Sequence, residues 1–485
     1  MLTRRTLLLA AGAMTAAGAA AAPVRRPAAA PLGPMAEPAP GRTVALDLVA
    51  AERPRSLPCF GGRTLPLWTF SETDVLPVVR MRLGDRLRTR LVNALPRAGE
   101  HTSIHWHGIR LPNAEDGVPY LTQPPTAVGA SHTYDFEPPD TGSFFFHTHC
   151  NTAEQLGRGL AGLLIVEGDE TEPYDGEVVL AMRDWRIGED GGFLPFLTDR
   201  GASGAGSFGT VRSVNGAPFA AATVPALADV RLRLYNIDAS RVVTVGIEGA
   251  EAAVVAVDGV AVAPFPLAAW TLGPAMRVDV VVRTPAAGGR AVVHDLRPAK
   301  PVVLATLSAE GPAVRAGAFD PAPLRRARIP EPDLGAAERL PFAVSTTATG
   351  AAVGASLGDG PALPGIDDLC LSDRTFWAIN KAAWPADGHR SLPPPLAVLR
   401  RGATYVIELA NTTRHIHPIH MHGHTVKVLS SNERPLPVHH ADTVLLYPKE
   451  RVEVAFVADN PGDWMIHCHL IEHQETGMMG YVRVA

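Results

Sequence analysis

The chain has 485 residues with a formal net charge of -5, too long for one hydrophobic core and suited to about three domains of ordinary size. It carries no long Lys/Arg run, which excludes the electrostatic footprint of a nucleic-acid or anionic-membrane binder. Glycine and proline together number 89, below the range of low-complexity disorder and in keeping with frequent turns between short strands.

The N-terminal run Thr3-Arg4-Arg5-Thr6-Leu7-Leu8-Leu9, followed by alanine and glycine to Ala22, reads as a twin-arginine export leader over residues 1–22 rather than as part of the fold. Its apolar stretch is too short for a membrane span. A mature protein that starts near Pro23, passes the twin-arginine translocase and works in the periplasm without stable membrane insertion is expected.

Residues 84–93 alternate arginine with apolar side chains and end Leu-Val-Asn, the pattern of a half-buried strand. Residues 229–236 repeat that alternation, and 402–411 end on the same Leu-X-Asn. A second recurrence is a strand, a turn with glycine at 142, 289 or 462 and, five residues on, histidine at 147, 294 or 467. Three copies of one β-sandwich fit both recurrences. They are placed at 40–170, 171–310 and 340–485, with 311–339 as linker and 346–360, poor in large apolar residues, expected to be mobile.

The copies differ downstream of the Leu-X-Asn strand. The first leads to His105-Trp106-His107 and later His147-Thr148-His149, and the third to His417-Pro418-Ile419-His420-Met421-His422. The second leads to Val243-Thr244-Val245 and offers the lone His294, read as a packing or surface histidine. Copies one and three are therefore expected to face each other, with the second as a spacer. Near the end come His467-Cys468-His469, His473 and Met478. Successive side chains of a strand point to opposite faces, so Cys468 faces one way and its two histidine neighbours the other. One tripeptide then touches two metal sites. A thiolate, two imidazoles and a thioether favour copper, and the remaining eight imidazoles are the number that three clustered coppers need.

With these motifs the chain resembles the multicopper oxidases, the laccase-like family, over nearly its whole mature length. The resemblance implies an all-β fold of three cupredoxin-like Greek-key sandwiches and four copper ions. It assigns His417, Cys468, His473 and Met478 to the type 1 site and His105 with His420 to the type 2 copper. His107, His147 and His469 would hold one type 3 ion, and His149, His422 and His467 the other. Electrons from a small phenolic or metal-ion reductant would pass from the type 1 site through Cys468 to His467 and His469, with O₂ reduced to water at the cluster. Asp116 matches the acidic residue that bacterial relatives place beside the type 2 copper, a proton relay or otherwise a turn residue before Gly117. Where several relatives carry a glutamate after the second type 1 histidine this chain has Gln474, which puts the proton route in doubt; Glu475 is read as support for the turn to Gly477.

Methionine at 478 implies a lower potential than the leucine or phenylalanine of fungal relatives, favouring methoxyphenols, cuprous or ferrous ion. No methionine-rich insert is present to gather cuprous ion. His415, His424, His439 and His440 are read as solvated or packing residues, and Asp442 or Glu433 as contacts on a substrate side formed by 430–442. Cys59, Cys150 and Cys370 are left for one disulfide and one free thiol, with Cys150 expected to be buried, and a monomer is expected. A copper-sequestering protein, a copper-free scaffold and a two-domain nitrite reductase are disfavoured, because storage needs no such coupled centre and no ligand position is missing.

Overall fold

The computed structural model describes residues 32–347, 375–385 and 392–485. The leader, Cys370 and nearly all of 346–360 lie outside them. Six β-sheets form three pairs, built from strands between Thr43 and Glu167, between Gly176 and Glu310, and between Glu338 and Val484. The architecture is all-β, with cupredoxin-like sandwiches as its units. Buried apolar side chains of the first and third units form one continuous cluster through Trp106, Phe146, Ile419, Trp464 and Cys468. The second unit has a separate core, rich in valine and leucine. No described helix is long and apolar enough to cross a membrane.

The Leu-X-Asn recurrence has a common physical cause. Asn93 donates through Nδ2 to Glu100 O and Thr126 O, both at 2.8 Å, and its Oδ1 accepts from Leu95 N at 3.1 Å. Asn236 donates to Arg241 O and Leu272 O at 2.8 and 3.0 Å and accepts from Asp238 N. Asn411 donates to His415 O and Tyr447 O at 2.7 and 2.9 Å and accepts from Thr413 N. Each asparagine thus ends a strand with an Asx turn and ties down the loop leading to the next strand of its unit, the histidine-bearing one in copies one and three.

The two arginine-alternating strands differ in burial. Arg86–Ala94 alternates exposed and buried side chains as expected, but Asp229–Asn236 is buried along its whole length. The half-buried reading fails there because its arginines meet carboxylates instead of water. Arg231 donates to Asp169 Oδ1 at 2.9 Å and Asp279 Oδ2 at 3.1 Å. Arg233 donates to Ser143 Oγ at 2.8 Å and Glu177 Oε2 at 2.6 Å. Asp169 and Ser143 belong to the first unit, so this strand's charged side chains join the first and second units.

Candidate metal centre

Four strands bring the histidines together. His105–His107 pairs with Gly142–His147, placing His105 opposite His147. In the third unit His417–Met421 pairs with Gly462–Cys468, placing His420 opposite His467 and Ile419 opposite Cys468. The period of two aims His105 and His107 one way while Trp106 enters the core against Phe146. The same alternation separates Cys468 from His467 and His469.

The first and third units meet at eight buried imidazoles. His105 Nε2 lies 3.4 Å from His420 Nε2, His147 Nε2 3.3 Å from His469 Nε2, and His422 Nε2 3.0 Å from His467 Nε2. His149 joins the His422 and His467 group, and His107 the His105 and His147 group. Outer hydrogen bonds fix the tautomers. Nδ1 of His105 donates to Asp116 O, of His147 to Thr148 O, of His420 to Asp442 O, of His467 to Cys468 O, and of His422 to Asp116 Oδ2, all at 2.8 to 3.0 Å. The corresponding Nε2 atoms then carry lone pairs pointed at one another, an arrangement that repels unless a cation lies between them. His107 is reversed: its Nε2 donates to Asp442 Oδ1 at 3.0 Å and its Nδ1, which has no hydrogen-bond partner, is the inward atom. Burial, and then the neighbouring imidazoles, hold His107, His422 and His469 well below the ordinary histidine range. These three donors are therefore neutral, as metal binding requires.

A second group lies on the other face of the same strand. Cys468 Sγ is 3.6 Å from His417 Nδ1 and 3.8 Å from His473 Nδ1, and the two nitrogens are 3.1 Å apart. His473 Nε2 donates to Gly204 O at 2.9 Å, and His417 Nε2 bonds Thr413 Oγ1 at 2.7 Å. Burial pushes the Cys468 thiol up, so a thiolate here calls for a bound cation. Leu470 N donates to the sulfur at 3.4 Å. Met478 is fully buried, and its carbonyl accepts from Cys468 N at 3.1 Å.

Carboxylates brace both sides of the eight-histidine group. Asp116 is fully buried: its carbonyl and one carboxylate oxygen hold two imidazoles from different units, so it acts on the cluster as well as in the turn. Asp442 lies 2 % exposed beneath His107 and His420, so its reading as a substrate-side contact is corrected. The charge that holds it there comes from the second unit, which is more than a spacer. Arg277 Nη1 and Nη2 donate to the two Asp442 oxygens at 2.9 and 2.6 Å. Burial would raise the Asp442 carboxyl, but the Arg277 charge and the His420 hydrogen bond hold it well below the usual range. Gly108, at φ +87°, is required by this pair: a Cβ there would stand 2.5 Å from Arg277 Nη2 and from Asp442 Oδ2. Sequence reasoning missed Arg277; its signal was an arginine opening the valine-rich strand Arg277–Arg283.

The remaining candidates fall elsewhere. Glu475 Oε1 accepts from Ala153 N at 2.7 Å, tying the third unit to the helix Thr152–Arg158. Gln474 is buried with Oε1 unpartnered. Glu433 is exposed. His424 packs against Phe456 and Trp464, His439 against Trp270, and His415 against Trp377. His294 lies 3.2 Å from Glu248. No disulfide joins Cys59 to Cys150, and Cys150 is buried.

Family profiles described as multicopper oxidase match residues 57–171, 198–294 and 370–485. The multicopper oxidase MmcO of Mycobacterium tuberculosis is 31% identical, over 92% of this chain and 91% of that protein. Laccase-1 of Botryotinia fuckeliana is 27% identical over 86% of this chain and 78% of its own length. The crystal structure of a multi-copper oxidase from Pseudomonas thermotolerans superposes with a TM-score of 0.80 at 37% identity, covering 92% of this chain and all of that one. With a donor set suited to copper, inward-facing lone pairs and matches across the three units, this chain belongs to the multicopper oxidase family.

Proposed function

We propose that this oxidase holds four coppers in the arrangement its donors describe, with His417, Cys468, His473 and Met478 at the electron-entry site. His105 and His420 would hold the type 2 ion; His107, His147 and His469, and His149, His422 and His467, the type 3 pair. When bound, four coppers supply four one-electron centres, the number that takes O₂ to two waters. The observation that carries this reading is the strand Gly462–Cys468, whose last residue faces His417 and His473 while His467 and His469 on either side face the other group. Cys468 joins the two groups through one peptide bond in each direction. The protein's own atoms hold His105, His107, His147, His420, His422 and His467 each in one tautomer and bury the rings away from water. The Asp116 carboxylate, with Oδ1 3.2 Å from His105 Nδ1 and Oδ2 2.9 Å from His422 Nδ1, is the group through which a proton would pass.

The donor is a small molecule that gives up electrons singly. The similarity to a laccase supports readily oxidised phenols such as methoxyphenols. A second reading, oxidation of cuprous, manganous or ferrous ion, is favoured by the complete burial of His473, whose outer nitrogen is already bonded to Gly204. We further propose that the chain acts as a monomer in the periplasm after twin-arginine export of its 1–22 leader. Oxygen uptake by copper-loaded protein with a methoxyphenol and separately with cuprous ion, beside a copper count, tests the reading. Four coppers per chain and water as product support it; fewer than three coppers, or peroxide as product, reject it.

A further inference from the structure

The Cys468 group carries a cover that oxidase chemistry does not require. Residues 198–207 form a loop with one helical turn, Asp199–Ala202, capped where Thr198 Oγ1 accepts from Gly201 N at 3.0 Å. At the neck Thr198 Oγ1 and Ser207 Oγ are 3.0 Å apart. Both ends rest on one buried carboxylate: Glu472 Oε1 accepts from Thr198 N and Ser207 Oγ, each at 2.9 Å, and its Oε2 accepts from Ser207 N. A side chain at Gly201 would collide with that carboxylate. Glu472 immediately precedes His473. At the tip Gly204 O accepts from His473 Nε2 at 2.9 Å. Beside it Ala202 O accepts from Trp377 Nε1 at 2.5 Å, and the Trp377 indole lies on the His473 ring with centroids 4.3 Å apart. Ala205, next along the tip, is exposed.

We propose that the 198–207 loop, latched by Glu472, selects the electron donor: it admits electrons through the Gly204 carbonyl and denies direct contact with His473. This rests on the Cys468 group being the entry site. A phenol losing one electron also releases its hydroxyl proton to solvent, and it couples best to the ring when its oxygen accepts the Nε2 hydrogen. That hydrogen is already given to Gly204. A metal complex such as ferrocyanide loses one electron and no proton, needs no such bond, and can stand at Ala205 one peptide from the ring. With either donor, four electrons and four protons from solvent turn one O₂ into two waters.

The test uses copper-loaded full-length protein, Glu472→Gln and, as a milder release of the same latch, Ser207→Ala. The readouts are kcat/KM for 2,6-dimethoxyphenol and for ferrocyanide, the blue absorption, and amide exchange of residues 203–207. The expected result is retained blue colour, faster exchange at 203–207, and a phenol kcat/KM raised by about tenfold while ferrocyanide changes by less than about twofold. Equal changes for both donors, or faster exchange with an unchanged ratio, overturn the proposal. Wild-type protein that is blue but consumes no O₂ with either donor overturns the oxidase reading instead; the latch is then judged on exchange, and unchanged protection in Glu472→Gln sinks it.

Discussion

At the scale of single residues, hydrogen bonds on the outer edge of six cluster rings decide what their inner edges can do. Cys468→Ser removes the thiolate whose charge transfer to copper gives intense blue absorption; we expect the colour and turnover to vanish while the circular dichroism of the fold stays. Asp116→Asn keeps the shape but removes the carboxylate between His105 and His422. Oxygen reduction should slow by about a hundredfold while reduction of the blue centre is unchanged, as stopped-flow traces of the two steps would show. Equal slowing of both would make Asp116 a structural residue. The motifs announced the paired histidines and Cys468, because spacing along a strand fixes which way each points; Asp116, in a turn, was legible through the family resemblance. Asp442 was legible as a residue but not as a role: its partners His107 and Arg277 lie 335 and 165 positions away. No local pattern carries that pairing.

Among elements, the three Leu-X-Asn strands show how a repeat in sequence becomes a repeat in bonding. Asn411→Ala would leave the carbonyls of His415 and Tyr447 without their buried donor, a cost of about 3 kcal/mol. Because that loop runs directly into His417, chemical denaturation should show the lost stability and the blue band should shift as well. An unshifted band would separate the loop's hold on the chain from its hold on the metal site. The repeat and the glycine-led strands were readable, since both depend on neighbours within a few residues. The burial of Asp229–Asn236 was not readable, because alternation records two faces but not what covers each of them. There the first unit supplies Asp169 and Ser143, and water is replaced by carboxylates and a hydroxyl.

For the whole molecule, many histidines are buried as neutral rings, and this sets its response to acid. His440, partly buried and then opposed by Lys427, is pushed down to about 4. Its folded value lies below the unfolded one near 6.5, so its stability contribution is complete above pH 6.5 and is lost as the pH falls toward 4. The full loss is about 3 kcal/mol for this one ring. His107, His422 and His469 of the cluster shift the same way, so metal-free protein should unfold at progressively lower denaturant concentration from pH 6.5 downward. A midpoint flat across that range would contradict the burial of neutral rings.

The eight-histidine group takes half its donors from the first unit and half from the third, with no chain segment of one unit completing it. Any ion bound there is also a rivet between parts of the chain far apart in sequence. Copper affinity and resistance to heat are then two measures of one equilibrium, because a ligand that binds only the folded form stabilises it by mass action. Added copper should raise the melting temperature of the wild type and raise it much less in a His105→Ala, His420→Ala double variant, so that calorimetry reports the closure of the molecule without any turnover.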